Sequence, residues 1–167
     1  PEACLGAIYA EARPHVGGGW RVGLRGDLLE GSLDYRPSLA DPLDIALERL
    51  TLDGLLTAAG GQGAGTLLEE LDVPPDPAPL PGWLTELPDG RLRIADILYQ
   101  GRQIGPLTAH WEGGPQRLRV APLGLTLGQI SARGEVVWES AGAGDSLTRS
   151  RVDLDGRDLG TALERLG

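Results

Sequence analysis

Residues 104–111, IGPLTAHW, decide how this chain is read. Leu107, Ala109 and Trp111 fall two residues apart, and Thr108 and His110 interleave with them. A strand sends such alternating sets to opposite faces, so the segment has one apolar and one polar side. Its apolar side needs a cover, and much of the chain repeats the same demand.

Working outward, Trp20, Val22 and Leu24 alternate with Arg21, Gly23 and Arg25. Beyond Gly26-Asp27, the set Leu29, Gly31, Leu33, Tyr35 alternates with Glu30, Ser32, Asp34. A turn at Gly26-Asp27 joins the two as an antiparallel hairpin. Pro37 to Pro42 reads as a loop. Ile45 and Leu47, then Leu50 and Leu52, make a third strand whose phase slips at Glu48-Arg49, the mark of a bulge. The second half adds strands over 91–99, 106–112, 116–121, 123–127, 129–139 and 147–154, joined by turn-forming QGRQ, EGGP and SAGAGD.

Three segments break the two-residue period. In 2–13, Leu5, Ile8, Tyr9 and Ala12 stand at helical spacing, which predicts a short helix ended by Pro14 and Gly17-Gly18-Gly19. At the other end, Leu159, Leu163 and Leu166 predict a helix over 158–166, with Asp158 as N-cap and Gly167 as C′ residue. Between them, 57–90 combines a glycine tract with VPPDPAPLPGW and reads as a long surface connection, pinned by Trp83 and Leu84.

The chain's 167 residues suit a single domain, and 41% are hydrophobic. Phe and Met are absent, so a core must be built from aliphatic residues with a few Trp and Tyr. All fifteen basic residues are arginine. A net charge of −9 argues against nucleic-acid binding, and no polybasic patch addresses an anionic membrane surface. The single cysteine, Cys4, is read as a small buried hydrophobe. No apolar run approaches the ~18 residues of a membrane span. Because the chain begins at Pro1 and lacks methionine, we expect a piece of a longer protein with any targeting signal upstream.

Catalytic and metal chemistry find little support. His15 and His110 have no neighbouring ligand pattern, and His110 is expected on the wet side of its strand. No Cys/His cluster suggests zinc. DLDGRD at 153–158 lacks the spacing and distal glutamate of a calcium loop. GGQGAG at 60–65 follows no strand of a βαβ unit. EGS at 30–32 lacks the frame of a nucleophile elbow. The chain is expected to be non-enzymatic and to carry neither metal nor cofactor.

The faces carry the argument instead. Roughly eight or nine antiparallel strands each present one apolar face. Two terminal helices shield only part of such a sheet. Either it folds back as a sandwich or barrel, or one apolar face stays open as a binding surface. Trp20, Trp111 and Trp138 share the apolar phase and fit a core or a groove.

The runs WRVGLRGDLLEGSLDY (20–35) and PLDIALERLTL (42–52) resemble a repeat of the AsmA-like proteins of the YhdP type. So do LRIADILYQGRQIGPLTAHW (92–111) and GLTLGQISARGEVVW (124–138), and VDLDGRDLGTALERLG (152–167) resembles that family's strand-into-helix ending. The similarity covers most of 16–56 and 91–167. It implies a mainly β fold, a curved and twisted antiparallel sheet forming an open, taco-like groove with a short helix at each end. It also implies a bacterial envelope protein in the periplasm, anchored in the inner membrane through an upstream segment absent here. Phospholipids would pass along the groove toward the outer membrane, an activity without catalytic residues.

On this reading the acyl chains lie against Trp20, Val22, Leu33, Leu107, Trp111, Leu118, Val120, Leu125, Ile130, Val136 and Trp138. The expected partners are phospholipid or another acyl-chain lipid and neighbouring groove segments of the same chain, with self-association through exposed edges or faces. The competing expectation is a structural or protein-interaction β-sandwich module of the envelope.

Overall fold

Alternating sequence becomes strand nearly throughout the residues that the computed structural model describes: 7–53, 86–128, 130–142 and 145–156. The strands are β1 (Ile8–Pro14), β2 (Trp20–Gly26), β3 (Leu29–Tyr35), β4 (Leu43–Thr51) and β5 (Gly90–Tyr99). They continue as β6 (Arg102–Gln103), β7 (Leu107–Gly114), β8 (Arg117–Leu127), β9 (Ile130–Gly142) and β10 (Asp145–Gly156). All ten belong to one sheet, ordered β1-β2-β3-β4-β5-β7-β8-β9-β10, with the short β6 pairing back on β5. Among the described residues the path does not close, and β1 and β10 are its two edges. The fold is mainly β, built on one open and mostly antiparallel sheet.

The expected helix over 2–13 is corrected where the chain is described. Residues 8–14 form β1, paired antiparallel with β2 from Ile8 opposite Gly26 to Pro14 opposite Trp20. The same residues carry both periods: Ile8, Ala10 and Ala12 alternate with Tyr9, Glu11 and Arg13 as well as fitting a helical stripe. The free backbone groups of β2 decide between them, because a ladder satisfies both strands at once and local propensity is a weak prior. Residues 2–6 of that helix, the helix over 158–166, and Trp83 and Leu84 lie outside the described residues.

A second departure sits at the centre. β4 and β5 run parallel, from Leu43 opposite Gly90 to Thr51 opposite Leu98. Antiparallel neighbours join through a tight turn, whereas parallel ones need a dozen or more connecting residues. The stretch between Thr51 and Gly90 is the one connection here long enough. Its last residues are fixed on the sheet. Leu87 packs on the core, the Pro88 carbonyl accepts the Trp111 indole N–H at 2.7 Å, and the Asp89 carboxylate accepts the Gly113 amide at 2.6 Å.

The ladder is interrupted where the sequence slips phase. Gly31 pairs with Leu47 and Glu30 with Arg49, leaving Glu48 as an extra residue in β4. In β8, Val120 pairs with Val136 and Leu123 with Gly134, so Ala121 and cis-linked Pro122 bulge from one continuous strand instead of separating two. Proline has no amide hydrogen to give the ladder, which suits a bulge.

Burial is greatest in the middle of the sheet. Leu43, Trp111 and Leu118 form a buried cluster against which Leu33, Tyr35, Ile45, Leu92, Val120 and Trp138 pack. Gly90 makes this fit possible: a Cβ there would overlap the Leu43 carbonyl oxygen and lie 2.7 Å from Trp111 Cζ2.

Candidate functional site: the apolar sheet face

The registers align the apolar phases of successive strands into rows that cross the sheet. One row runs Pro14, Trp20, Tyr35, Leu43, Gly90, Trp111, Val120, Val136. A second runs Ala12, Val22, Leu33, Ile45, Leu92, Ala109, Leu123, Gly134 and ends at Val152. A third takes Ala10, Leu24, Gly31, Leu47, Ile94, Leu107, Leu125, Ala132 and ends at Leu154. Strands stand about 4.8 Å apart, so nine of them carry these rows across about 38 Å. Cross-strand registry of this kind needs each bulge to restore the phase after breaking it. The bulges at Glu48 and at Ala121-Pro122 do so.

The eleven residues expected to line a groove all fall on this face. Their accessibilities differ. Trp111, Leu118 and Ile130 are buried, at 7%, 4% and 5% exposure, whereas Trp20 is 52% exposed. Val22, Leu33, Leu107, Val120, Leu125, Val136 and Trp138 are half-buried. Sequence reading passed over Leu43, Ile94 and Ile97, which are as deeply buried as Trp111. Leu43 and Ile94 keep the alternation visible in PLDIALERL and RLRIADILY, whereas Ile97, three residues after Ile94 and opposite Leu50, falls out of that phase. What placed them at the centre was the parallel β4–β5 pairing, which two separated strands do not announce.

The opposite face is charged, and its arginines and carboxylates interlock. Asp34 gathers Arg21 Nε at 2.9 Å, His15 Nε2 at 2.7 Å and Arg36 Nη2 at 3.7 Å. Asp44 is shared by Arg91 and Arg93, and Glu139 by Arg117 and Arg149. Arg119 bridges Glu135 at 3.0 Å and Glu112 at 3.6 Å. An open cavity of about 250 Å³ on this face is lined by Arg21, Asp34, Arg36, Asp41, Asp44 and Arg91, charges that largely compensate one another. Val137 is an apolar residue on this side, 7% exposed and opposite Arg119 and Arg149. Long arginine stems cover apolar surface while their heads stay in water, which accounts for a buried valine there.

His110 is on this charged face, yet it is more than a wet strand residue. Nε2 lies 3.1 Å from Asp41 Oδ1 and Nδ1 lies 3.2 Å from the Ala121 carbonyl oxygen. The hydrogen bond to Asp41 raises its pKa, aided by the Ala121 carbonyl and opposed by partial burial. The Asp34 carboxyl is held below the usual range, chiefly by its hydrogen bond from Arg21 and then by His15 against a desolvation cost. Such pairing stabilises the ionised forms of both groups. Among the described residues, no group of three or more His, Cys, Asp or Glu side chains converges to hold a metal ion.

The arrangement therefore separates two jobs: the charged face keeps the sheet solvated and locked, and the other presents apolar side chains in rows. No family model matches the chain, and no curated protein and no solved structure matches it either.

Proposed function

We propose that the apolar face binds the acyl chains of phospholipids, as one non-catalytic segment of a lipid-transfer bridge between bacterial inner and outer membranes. The observation that carries this reading is the continuity of three apolar rows across the sheet. In it the sheet curves into an open groove. The buried Trp111, Leu118 and Ile130 support the floor, and the half-buried Val22, Leu33, Leu107, Val120, Leu125, Val136 and Trp138 touch lipid. Each methylene taken from water contributes about 0.8 kcal/mol without directional demands, so a continuous apolar strip lets a chain slide between equivalent positions. Head groups remain in water at the margin.

The resemblance of residues 16–56 and 91–167 to the AsmA-like proteins supports the same reading. On this proposal the segment works in the periplasm as part of a longer, inner-membrane-anchored chain. Native mass spectrometry with lipid extraction, and uptake of a fluorescent phospholipid, test the proposal. Lipid should co-purify and exchange, and Leu107→Asp should reduce uptake while far-ultraviolet circular dichroism stays unchanged. A monodisperse protein that neither carries nor takes up lipid would favour the protein-interaction module instead.

A further inference from the structure

The two edges of the sheet are chemically unlike. β1 has seven residues and ends at Pro14. β10 has twelve, contains neither proline nor lysine, and leaves Val152 and Leu154 exposed at 53% and 56%. A long edge with apolar side chains is a template for another strand unless something blocks it; the ladder of β10 with β9 is regular from Ser146 to Gly156.

The charges along β10 have an order. On the polar face they read Arg149, Arg151, Asp153, Asp155, two cations followed by two anions with Val152 between them on the other face. Arg149 lies 3.5 Å from Glu139 and remains 68% exposed. Asp153 is opposite Arg133 and Arg151 opposite Glu135 in the ladder with β9. Even so, Arg151, Asp153 and Asp155 make no ion pair within 4 Å among the described residues, and Glu135 is engaged by Arg119.

This order is self-complementary. We propose that β10 is a homodimer edge, pairing antiparallel with β10 of a second copy about a two-fold axis through Val152. In that register Arg149 of one copy faces Asp155 of the other and Arg151 faces Asp153, each pair repeated by symmetry. On the apolar side Val152 meets Val152, and Ser150 meets Leu154. Sliding the register by one pleat, so that Arg151 or Asp153 sits on the axis, puts that residue opposite its own copy. Sliding by two opposes Arg149 to Arg151 or Asp153 to Asp155. Among registers within two pleats, only the Val152 one is free of like-charge opposition, and more distant slides keep at most one distinct opposite-charge pair.

Head-to-tail growth is the competing arrangement, with β1 of a second copy against β10. No antiparallel register there gives two opposite-charge pairs, since aligning Glu11 with Arg151 sets Arg13 against Arg149. The two-fold also keeps the apolar faces of both copies on one side of a single continuous sheet. The interface is isologous and closed. It stands independently of lipid binding.

Sedimentation velocity on the 167-residue chain, from low micromolar to several hundred micromolar, tests the proposal. The chain should dimerise, and Arg151→Asp and Asp153→Arg should each weaken dimerisation by about tenfold or more. Mixing the two variants should restore a dimer, because the aspartates of one then face the arginines of the other. Val152→Pro, checked for folding by circular dichroism, should abolish the dimer by removing a ladder donor. A chain monomeric throughout that range, a dimer unaffected by either reversal, or a mixture that fails to recover would overturn it. Lipid uptake measured on Arg151→Asp separates the two ideas: loss of the dimer with uptake retained leaves the lipid reading intact.

Discussion

Trp20 and Trp111 occupy the same cross-strand row of the same sheet face, yet their fates differ. Trp111 is 7% exposed and its indole N–H is satisfied by the Pro88 carbonyl. Trp20, four places along the row, is 52% exposed. In sequence both are tryptophans on the apolar phase of an amphipathic strand. The contrast shows that pattern assigns a side chain to a face, while position in the strand order assigns its depth.

The largest test of that contrast is truncation of both residues. Trp111→Ala should lose about 3–5 kcal/mol of unfolding free energy in a chemical denaturation experiment. Trp20→Ala should lose less than about 1 kcal/mol, since most of its surface is already in water. Equal losses would mean that the outer strands are as well packed as the centre.

Backbone approach offers the next test. Gly90→Ala drives a methyl group into the Leu43 carbonyl and the Trp111 ring. It should destabilise by about 1–3 kcal/mol in the same assay. Gly23, on outer β2, meets nothing closer than the Glu11 carbonyl oxygen at 3.9 Å. Gly23→Ala should be neutral to within about 0.5 kcal/mol.

On the charged face the comparison is read through pH. The raised pKa of His110 means that its pairing with Asp41 is fully stabilising below the ordinary histidine value of about 6.5. That contribution is lost as pH rises through the folded-state value. Asp34 behaves in the opposite sense: its lowered pKa stabilises above the ordinary carboxyl value of about 3.9 and is lost as pH falls through the folded one. Thermal unfolding of His110→Gln across pH 2–9 should therefore show a flatter neutral limb than the parent, with the acid limb unchanged. Asp34→Asn should flatten the acid limb instead. An unaltered profile in either variant would remove that pair from the account of stability.

The smallest effect is expected at the outer end of the row. Trp20→Ala should lower phospholipid uptake modestly in the fluorescence assay, by less than Leu107→Asp. An effect on uptake as large as that of Leu107→Asp would move the lipid path toward β1 and β2.

Much of this protein was legible as pattern. The two-residue alternation in WRVGLRG, GSLDY and LTAHW placed side chains on the correct faces, and the slip at Glu48 announced its bulge. The N-terminal segment misled because EACLGAIYAEAR satisfies both periods, and only the unpaired edge of β2 breaks the tie. His110 was assigned to the polar side by alternation, but its partner Asp41 lies 69 residues earlier in the loop before β4. No local spacing signals such a meeting.

The sequence by itself determined the class of structure and its two-sidedness, because strand pleating turns alternation directly into an apolar and a polar face. Tertiary structure decided the strand order, the parallel junction of β4 with β5, and hence which apolar residues are buried. The reason is physical: alternation is a property of one strand, whereas burial depends on how many neighbours stand on each side of it. Leu107 and Trp111 in IGPLTAHW share a face by sequence alone. That Trp111 lies over Gly90 and beneath Pro88, while Leu107 remains half open, follows only from the partners the sheet brings to β7.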